Sequence, residues 1–154
     1  LIIPLITEHC IAQEPPGAAA PKRERRERII REALQQSGST VLTRIIETVT
    51  IQELGATLDA QGYDRGSSLR IVFHEQEEMA QASLHSLLAP DNDKIVICVG
   101  PEGGFSHRDM ALLEELGFAA CHLEGPILRT ETAAVAALAA VRAIATERHV
   151  WKHC

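Results

Sequence analysis

The sequence predicts a single α/β domain: a mostly parallel sheet with helices on both faces. Three observations carry this. Short apolar runs alternate with stretches of helical periodicity along the chain, the pattern of βαβ units. The clearest run, Ile95–Val99, is continuously apolar and ends at a glycine, as a strand buried on both faces does. Two segments, Gly100–Ser106 (GPEGGFS) and Leu123–Ala133 (LEGPILRTETA), follow strand ends, where parallel sheets bind ligands.

Each element has its own signal. Leu1–Ile6 reads as a strand, and because the chain opens on it without Met, it is expected to be a piece of something longer. Glu14–Pro21 holds three prolines and a glycine and reads as a loop. Lys22–Ser37 is a helix by composition, with Lys22, Arg23, Arg25, Arg26, Arg28 and Arg31 set against Glu24, Glu27 and Glu32. Its Ile29, Ile30, Ala33 and Leu34 recur at helical spacing, and Gly38 ends it. Val41–Ile46 is a candidate short strand. Thr50–Glu53 matches a capping box and starts a helix to about Ala60. Leu69–Phe73 is a buried strand, and Glu77–Leu88 a helix that stops at Pro90. Ser106–Asp109 is a second capping box, opening a helix whose Met110, Leu113 and Leu116 face the core before Gly117 closes it. Ala119–Leu123 is a further strand. Thr130 is the expected N-cap of a long helix, Glu131–Arg148. No internal repeat or second domain is visible.

Bulk properties narrow the function. A length of 154 residues suits one domain, and 45% hydrophobic with 23% charged residues is ordinary for a globular chain. Aromatic residues make up 3%, so Leu, Ile, Val and Ala must build the core, and a base-stacking platform for single strands is disfavoured. A net charge of −6 argues against coating nucleic acid by charge alone, though not against a local basic patch. Cys10, Cys98, Cys121 and Cys154 form no C-x-x-C pair, which removes zinc-ribbon and thioredoxin readings and favours free thiols in a reducing compartment. His149, His153 and Cys154 match no zinc spacing, so no metal is expected. No signal peptide or membrane span is evident, so a cytoplasmic protein without a membrane partner is expected.

The two segments read as one small-molecule site. Glycines let a ligand approach the backbone. GPEGGFS is neither a dinucleotide nor a P-loop fingerprint, since it carries Glu102 and no Lys. A carboxylate there repels phosphate and suits a cationic centre or hydroxyl donors; equally, the glycines can simply turn the chain. Arg129 precedes a helix start, where a cation gains nothing from the dipole, so it is either solvated or faces a substrate anion. The Ala-rich helix from Ala133 to Val141 is apolar nearly all round, which fits core plus subunit interface as well as a single buried face. The basic helix is either a solvated face or a phosphate contact. The residues alone leave open a doubly wound domain for another nucleotide, such as a flavin.

GPEGGFS after a buried strand, with ILRTETA about twenty residues later, resembles the RsmE-type 16S ribosomal RNA uridine-N3 methyltransferases of the SPOUT superfamily over nearly the whole chain. Pro4-Leu5-Ile6-Thr7-Glu8 is similar to that family's first preserved strand. Lys22, Arg25, Ile29, Ala33, Gln36, Ser37 and Gly38 are similar to its helix signature. The resemblance implies a SPOUT-type α/β fold with a C-terminal deep trefoil knot, a rare exception to unthreaded topology. It implies S-adenosylmethionine as cofactor, with His74, Gly100, Pro101, Glu102, Gly103, Gly104, Leu123, Gly125, Ile127, Leu128, Thr132 and Ala133 around it. It further implies Arg129 and Glu131 as catalytic residues, Lys22, Arg25 and Gln36 as RNA contacts, a homodimer, and the small ribosomal subunit or its RNA as partner. Residues 1–154 would be the methyltransferase domain, without the family's N-terminal β-barrel RNA-binding domain and without the domain's own first strand and helix. Ser39 and Pro126 stand where the family usually has arginines, so a non-catalytic dimeric module that binds cofactor or RNA is the alternative.

Overall fold

The computed structural model describes residues 1–10, 19–88 and 92–147. In chain order these form β1 (Leu5–Ile6), α1 (Ala19–Ser37), β2 (Val49–Thr50), α2 (Ile51–Ala60), β3 (Leu69–Phe73), a single 3-10 turn (Glu77–Met79), α3 (Leu84–Leu87), β4 (Ile95–Val99), α4 (His107–Glu115), β5 (Phe118–Cys121) and α5 (Thr130–Glu147). β3 lies between β4 and β5 in a three-stranded sheet, while β1 and β2 pair separately. Every ladder among the described residues is parallel, with Phe73 opposite Val99 on one side and Cys121 on the other. The three strand ends therefore finish level, and the loops leaving them share one edge.

The period-two alternation of a strand divides the core. Val72 packs with Ile51, Leu54 and Leu58 of α2 and with Met110 and Leu113 of α4. Its neighbour Ile71 points the other way, into Leu84, Leu88, Cys121 and Val141 of α5. Helices thus cover both faces, as the alternating pattern predicts. At the N-terminal end of the sheet the buried Arg70 donates to the carbonyls of Leu116 and Tyr63, both at 2.7 Å, and to Asp59 at 3.2 Å. It joins the chain leaving α2 to the chain leaving α4, opposite the ligand edge.

The structure corrects several boundaries. Val41–Ile46 is not a strand: only Ile45 bridges, to Ile2, and Val41 and Leu42 are exposed. The pairing runs instead through Ile2 N to Arg44 O (2.8 Å), Ile46 N to Ile2 O (3.2 Å) and Val49 N to Pro4 O (3.0 Å). Pro4 has no N–H to give, so this parallel edge is broken into a bridge and a two-residue strand. Glu77–Leu88 is not one helix either. Gln81 N donates to Ala120 O at 3.0 Å, which draws the chain alongside β5, and Ser83 then caps α3 by accepting from Ser86 N at 3.2 Å. The helical periodicity survives because Leu84 and Leu88, one turn apart, are both buried. α1 begins at Ala19, earlier than composition predicts, and Gly38 ends it with φ +64°. β5 stops at Cys121, leaving Leu123 in the loop. Most of the Glu14–Pro21 loop, Pro90, Arg148 and the His149/His153/Cys154 tail lie outside the described residues.

Candidate functional site

GPEGGFS leaves β4 after Val99 and runs into α4, whose capping box is complete: Asp109 N donates to Ser106 Oγ at 3.1 Å and Ser106 N to Asp109 Oδ2 at 3.2 Å. The same carboxylate oxygen accepts from Glu8 N at 3.2 Å, tying the turn after β1 to this loop. The second loop leaves β5 and enters α5. Ala133 N donates to Arg129 O at 2.8 Å, so Arg129 holds the cap position and Thr130 is already helical. Thr130 is therefore not the N-cap. Its hydroxyl instead donates to the Gly100 carbonyl at 3.1 Å and joins the two segments directly.

These loops, with the His74–Glu75 turn beyond β3, enclose a cleft of about 280 Å³, just under the range of roughly 300–1,000 Å³ common for small-ligand sites. All residues from Gly100 to Gly104 line it, as do His74, Leu123, Gly125, Ile127, Leu128 and Ala133. Thr132 does not; it is exposed on α5. Phe73, Val99 and His122, which sequence reasoning did not assign to the site, also line the cleft, as do Glu75 at the end of β3 and Pro126 and Thr130 within the second segment. The first three adjoin residues already singled out, so the strand-end rule applied one residue further would have found them.

The lining is one-signed. Glu75 and Glu102 are its carboxylates, and among the described residues that line it there is no Lys or Arg. Leu123, Pro126, Ile127 and Leu128 make an apolar wall, with Ile127 85% exposed at the mouth. The glycines serve the protein as well as any ligand. A Cβ on Gly104, where φ is +67°, would meet Glu75 Oε1 at 2.7 Å. One on Gly103 would lie 3.0 Å from His9 Cβ. Two titratable side chains thus flank the loop because it has none of its own at these positions. The imidazoles are also fixed. His74 Nδ1 accepts from Gln76 N at 3.1 Å, while Nδ1 of His122 donates to the His74 carbonyl at 3.2 Å. Beneath the loop, burial and then the Asp109 charge push the Cys98 thiol up to about 12, so it stays neutral and chemically quiet.

Arg129 is exposed between two cleft-lining neighbours, and Glu131 is exposed in the first turn of α5. Arg25 and Gln36 are exposed on α1 and do not line the cleft; the side chain of Lys22 lies outside the described residues. On that helix Arg23 pairs with Glu27 at 3.0 Å and Arg28 with Glu32 at 3.8 Å, so part of its positive charge is locally balanced. Among the described residues no group of three or more His, Cys, Asp or Glu is placed to hold a metal.

Comparison with known proteins bears on this geometry. The family model described as RNA methyltransferase domain matches residues 1–142. The chain is 31% identical over 126 residues to the ribosomal RNA small subunit methyltransferase E of Bacillus subtilis (strain 168), covering 80% of this chain and 47% of the relative. It is 32% identical over 142 residues to the protein of that name from Rickettsia conorii, covering 92% and 52%. It thus spans about half the length of the curated relatives it matches. A ribosomal RNA small subunit methyltransferase E from Neisseria gonorrhoeae, solved with S-adenosyl methionine bound, superposes with a TM-score of 0.73 at 27% identity, covering 92% of this chain and 53% of that one. A Legionella pneumophila protein solved in complex with the bound cofactor SAM gives 0.77 at 26% identity, covering 92% and 54%.

Proposed function

The chain belongs to the RNA methyltransferase domain family, and on that premise we propose that it transfers a methyl group from S-adenosylmethionine to N3 of a uridine in 16S ribosomal RNA. One observation carries the reading. The Thr130–Gly100 hydrogen bond closes the two segments into a single cleft whose charged lining is carboxylate only. That charge suits a sulfonium and an ammonium group and disfavours a phosphate-bearing nucleotide such as a flavin. The apolar wall from Leu123 to Leu128 suits a purine face, and Gly100–Gly104 offers backbone groups to the rest of the ligand. The residues present fit this cofactor. A SPOUT-type trefoil knot accords with two C-terminal loops locked to one another.

When bound, the cofactor supplies an electrophilic methyl carbon. The chain's own contribution is chiefly positioning. Glu75 and Glu102 set the cationic end of the cleft, and Thr130 holds the walls together. Arg129, at the rim, stabilises the negative charge that develops on the uracil oxygens as N3 loses its proton. Glu131 holds the loop or assists proton removal. Arg25, Gln36 and Lys22 contribute RNA contacts along α1. Residues 1–154 act as the methyltransferase domain. Ala137, Val141 and Ala145 of α5 are buried, whereas Val135 and Leu138 are 69% and 55% exposed, so a second copy of the chain is the fitting cover for that face. The RNA substrate implies work in the cytoplasm, and among the described residues no helix is long and apolar enough to cross a membrane.

Calorimetric titration with S-adenosylmethionine tests the cofactor, and methyl transfer to unmethylated small ribosomal subunits tests the activity. Saturable one-site binding with methylated product is expected; a flat titration removes the reading. Pro126 in the cleft wall and Ser39 beside α1 favour the second reading, a cofactor-binding module without catalysis, which binding without transfer would select.

A further inference from the structure

A second hollow lies on the face of the sheet that α4 covers. Its floor is Val72, Phe118 and Ala120, all buried. Met79 of the 3-10 turn and Met110 of α4 line it too; these are the chain's two methionines, side chains that adapt to a ligand's shape. Its volume is about 160 Å³. An apolar cavity of roughly 150 Å³ accommodates a benzene ring, so one six-membered ring fits here and two fused rings do not. None of its described lining residues lines the cleft. The two are nevertheless neighbours along the chain: His107, on its border, directly follows GPEGGFS, and Met79 follows the His74–Glu75 turn.

The mouth of this pocket is polar. Gln81 and Glu114 are exposed there, and Gln81 Nε2 donates to Glu114 Oε1 at 3.5 Å. That is long for an N–H···O bond, whose usual range ends at about 3.2 Å, so a ligand can replace it at little cost. The Glu114 carboxylate has no other partner among the described residues. The Gln81 backbone is fixed, since its N–H donates to Ala120 O at 3.0 Å. An amide donor therefore stands beside a carboxylate acceptor, over an apolar slot for one ring. The edge of cytosine presents the complement, the N3 lone pair beside the N4 amino group. Uracil offers its N3–H to the carboxylate but carries a carbonyl on each side of it, and both oxygens meet the negative charge.

We propose that this pocket takes an unpaired cytosine of the RNA substrate, splayed out of its strand, with N4 donating to Glu114 and Gln81 donating to N3; this rests on the methyl-transfer reading above. The pocket then selects sequence at a base other than the methylated uridine, while the cleft holds the cofactor. Aromatic residues are scarce in the chain, so one enclosed base, not a stacked run, is the form of single-strand recognition it can make.

The test follows the methyl signals of Met79 and Met110 in 1H–13C spectra of the full chain, with cytidine as the probe. Both signals should move saturably, and uridine should bind about tenfold more weakly, the scale of discrimination at one base edge. Ala111→Leu sets a larger side chain into the pocket from an exposed position on α4 and should abolish the shifts with S-adenosylmethionine affinity retained. Glu114→Gln should keep the site and bring cytidine and uridine to within about twofold of each other. On small ribosomal subunits, Ala111→Leu should raise KM about tenfold at unchanged kcat. Unmoved methyl signals overturn the proposal, as do equal affinities for cytidine and uridine in the parent. So does an Ala111→Leu chain that loses cytidine yet methylates with the parent KM, because the pocket then serves free nucleosides. A parent that binds cytidine but methylates nothing overturns the methyl-transfer reading, and with it the RNA source of the base.

Discussion

Thr130 joins the two halves of the cleft with one hydroxyl, and it is the side chain whose loss is most informative. Thr130→Val keeps the shape and removes the donor to Gly100 O. A net hydrogen bond of about 1 kcal/mol predicts a roughly fivefold weaker S-adenosylmethionine affinity by calorimetry, with the circular dichroism spectrum retained. Unchanged affinity would mean the walls are held by packing alone. Arg129 makes the opposite prediction. Its side chain is exposed at the rim, so Arg129→Ala should leave cofactor affinity and stability in place while single-turnover methylation drops about 100-fold. An unaltered rate removes Arg129 from the chemistry. At this scale the sequence was informative about identity and weak on geometry. Glu102 in place of a phosphate-loop Lys was legible directly. That His9 and Glu75 flank the glycines was not, because His9 and Gly103 are 94 residues apart and only the fold brings them within hydrogen-bond reach.

At the scale of elements, the two capping boxes position the helices that follow the strands. Ser106→Ala removes the acceptor for Asp109 N and is expected to cost about 1 kcal/mol, read as a lower midpoint in urea unfolding. The same change loosens the end of GPEGGFS, so cofactor affinity should fall with it. In α2 the Glu53 carboxylate accepts from the Thr50 amide at 2.9 Å and hydroxyl at 2.8 Å, and these bonds, the amide first, hold its pKa below the ordinary 4.5. A carboxyl lowered on folding stabilises above its unfolded value and loses that contribution as pH falls through the folded one. The stability gap between parent and Glu53→Gln should therefore be constant near neutrality and close below pH 4.5; a gap unchanged in acid would contradict it. Local signals worked where local bonds decide, as in these boxes and at Gly38. They failed at 41–46 and 77–88, where the backbone donors go to distant partners, Ile2 and Ala120.

For the whole molecule, α5 carries the open question of assembly. One side seals the sheet through Ala137, Val141 and Ala145, and the other leaves Val135 and Leu138 in water. Leu138→Glu should shift sedimentation from dimer to monomer and lower the thermal midpoint, since it sets a charge into the proposed interface; a parent-like sedimentation coefficient would move the interface elsewhere. Small residues explain why the sequence read this helix as apolar all round, and only the packed sheet shows which side is spent inside the chain. The same division holds for the protein at large. Chain order, the capped starts of α2 and α4, the parallel sheet and the two site segments were determined by the sequence alone, because periodicity, caps and glycines act over a few residues. The level strand ends, the Thr130–Gly100 contact, the buried Arg70 clasp and the meeting of His9 with Gly103 were decided only by tertiary structure. Each depends on groups far apart in the chain, brought together by burying both faces of one sheet.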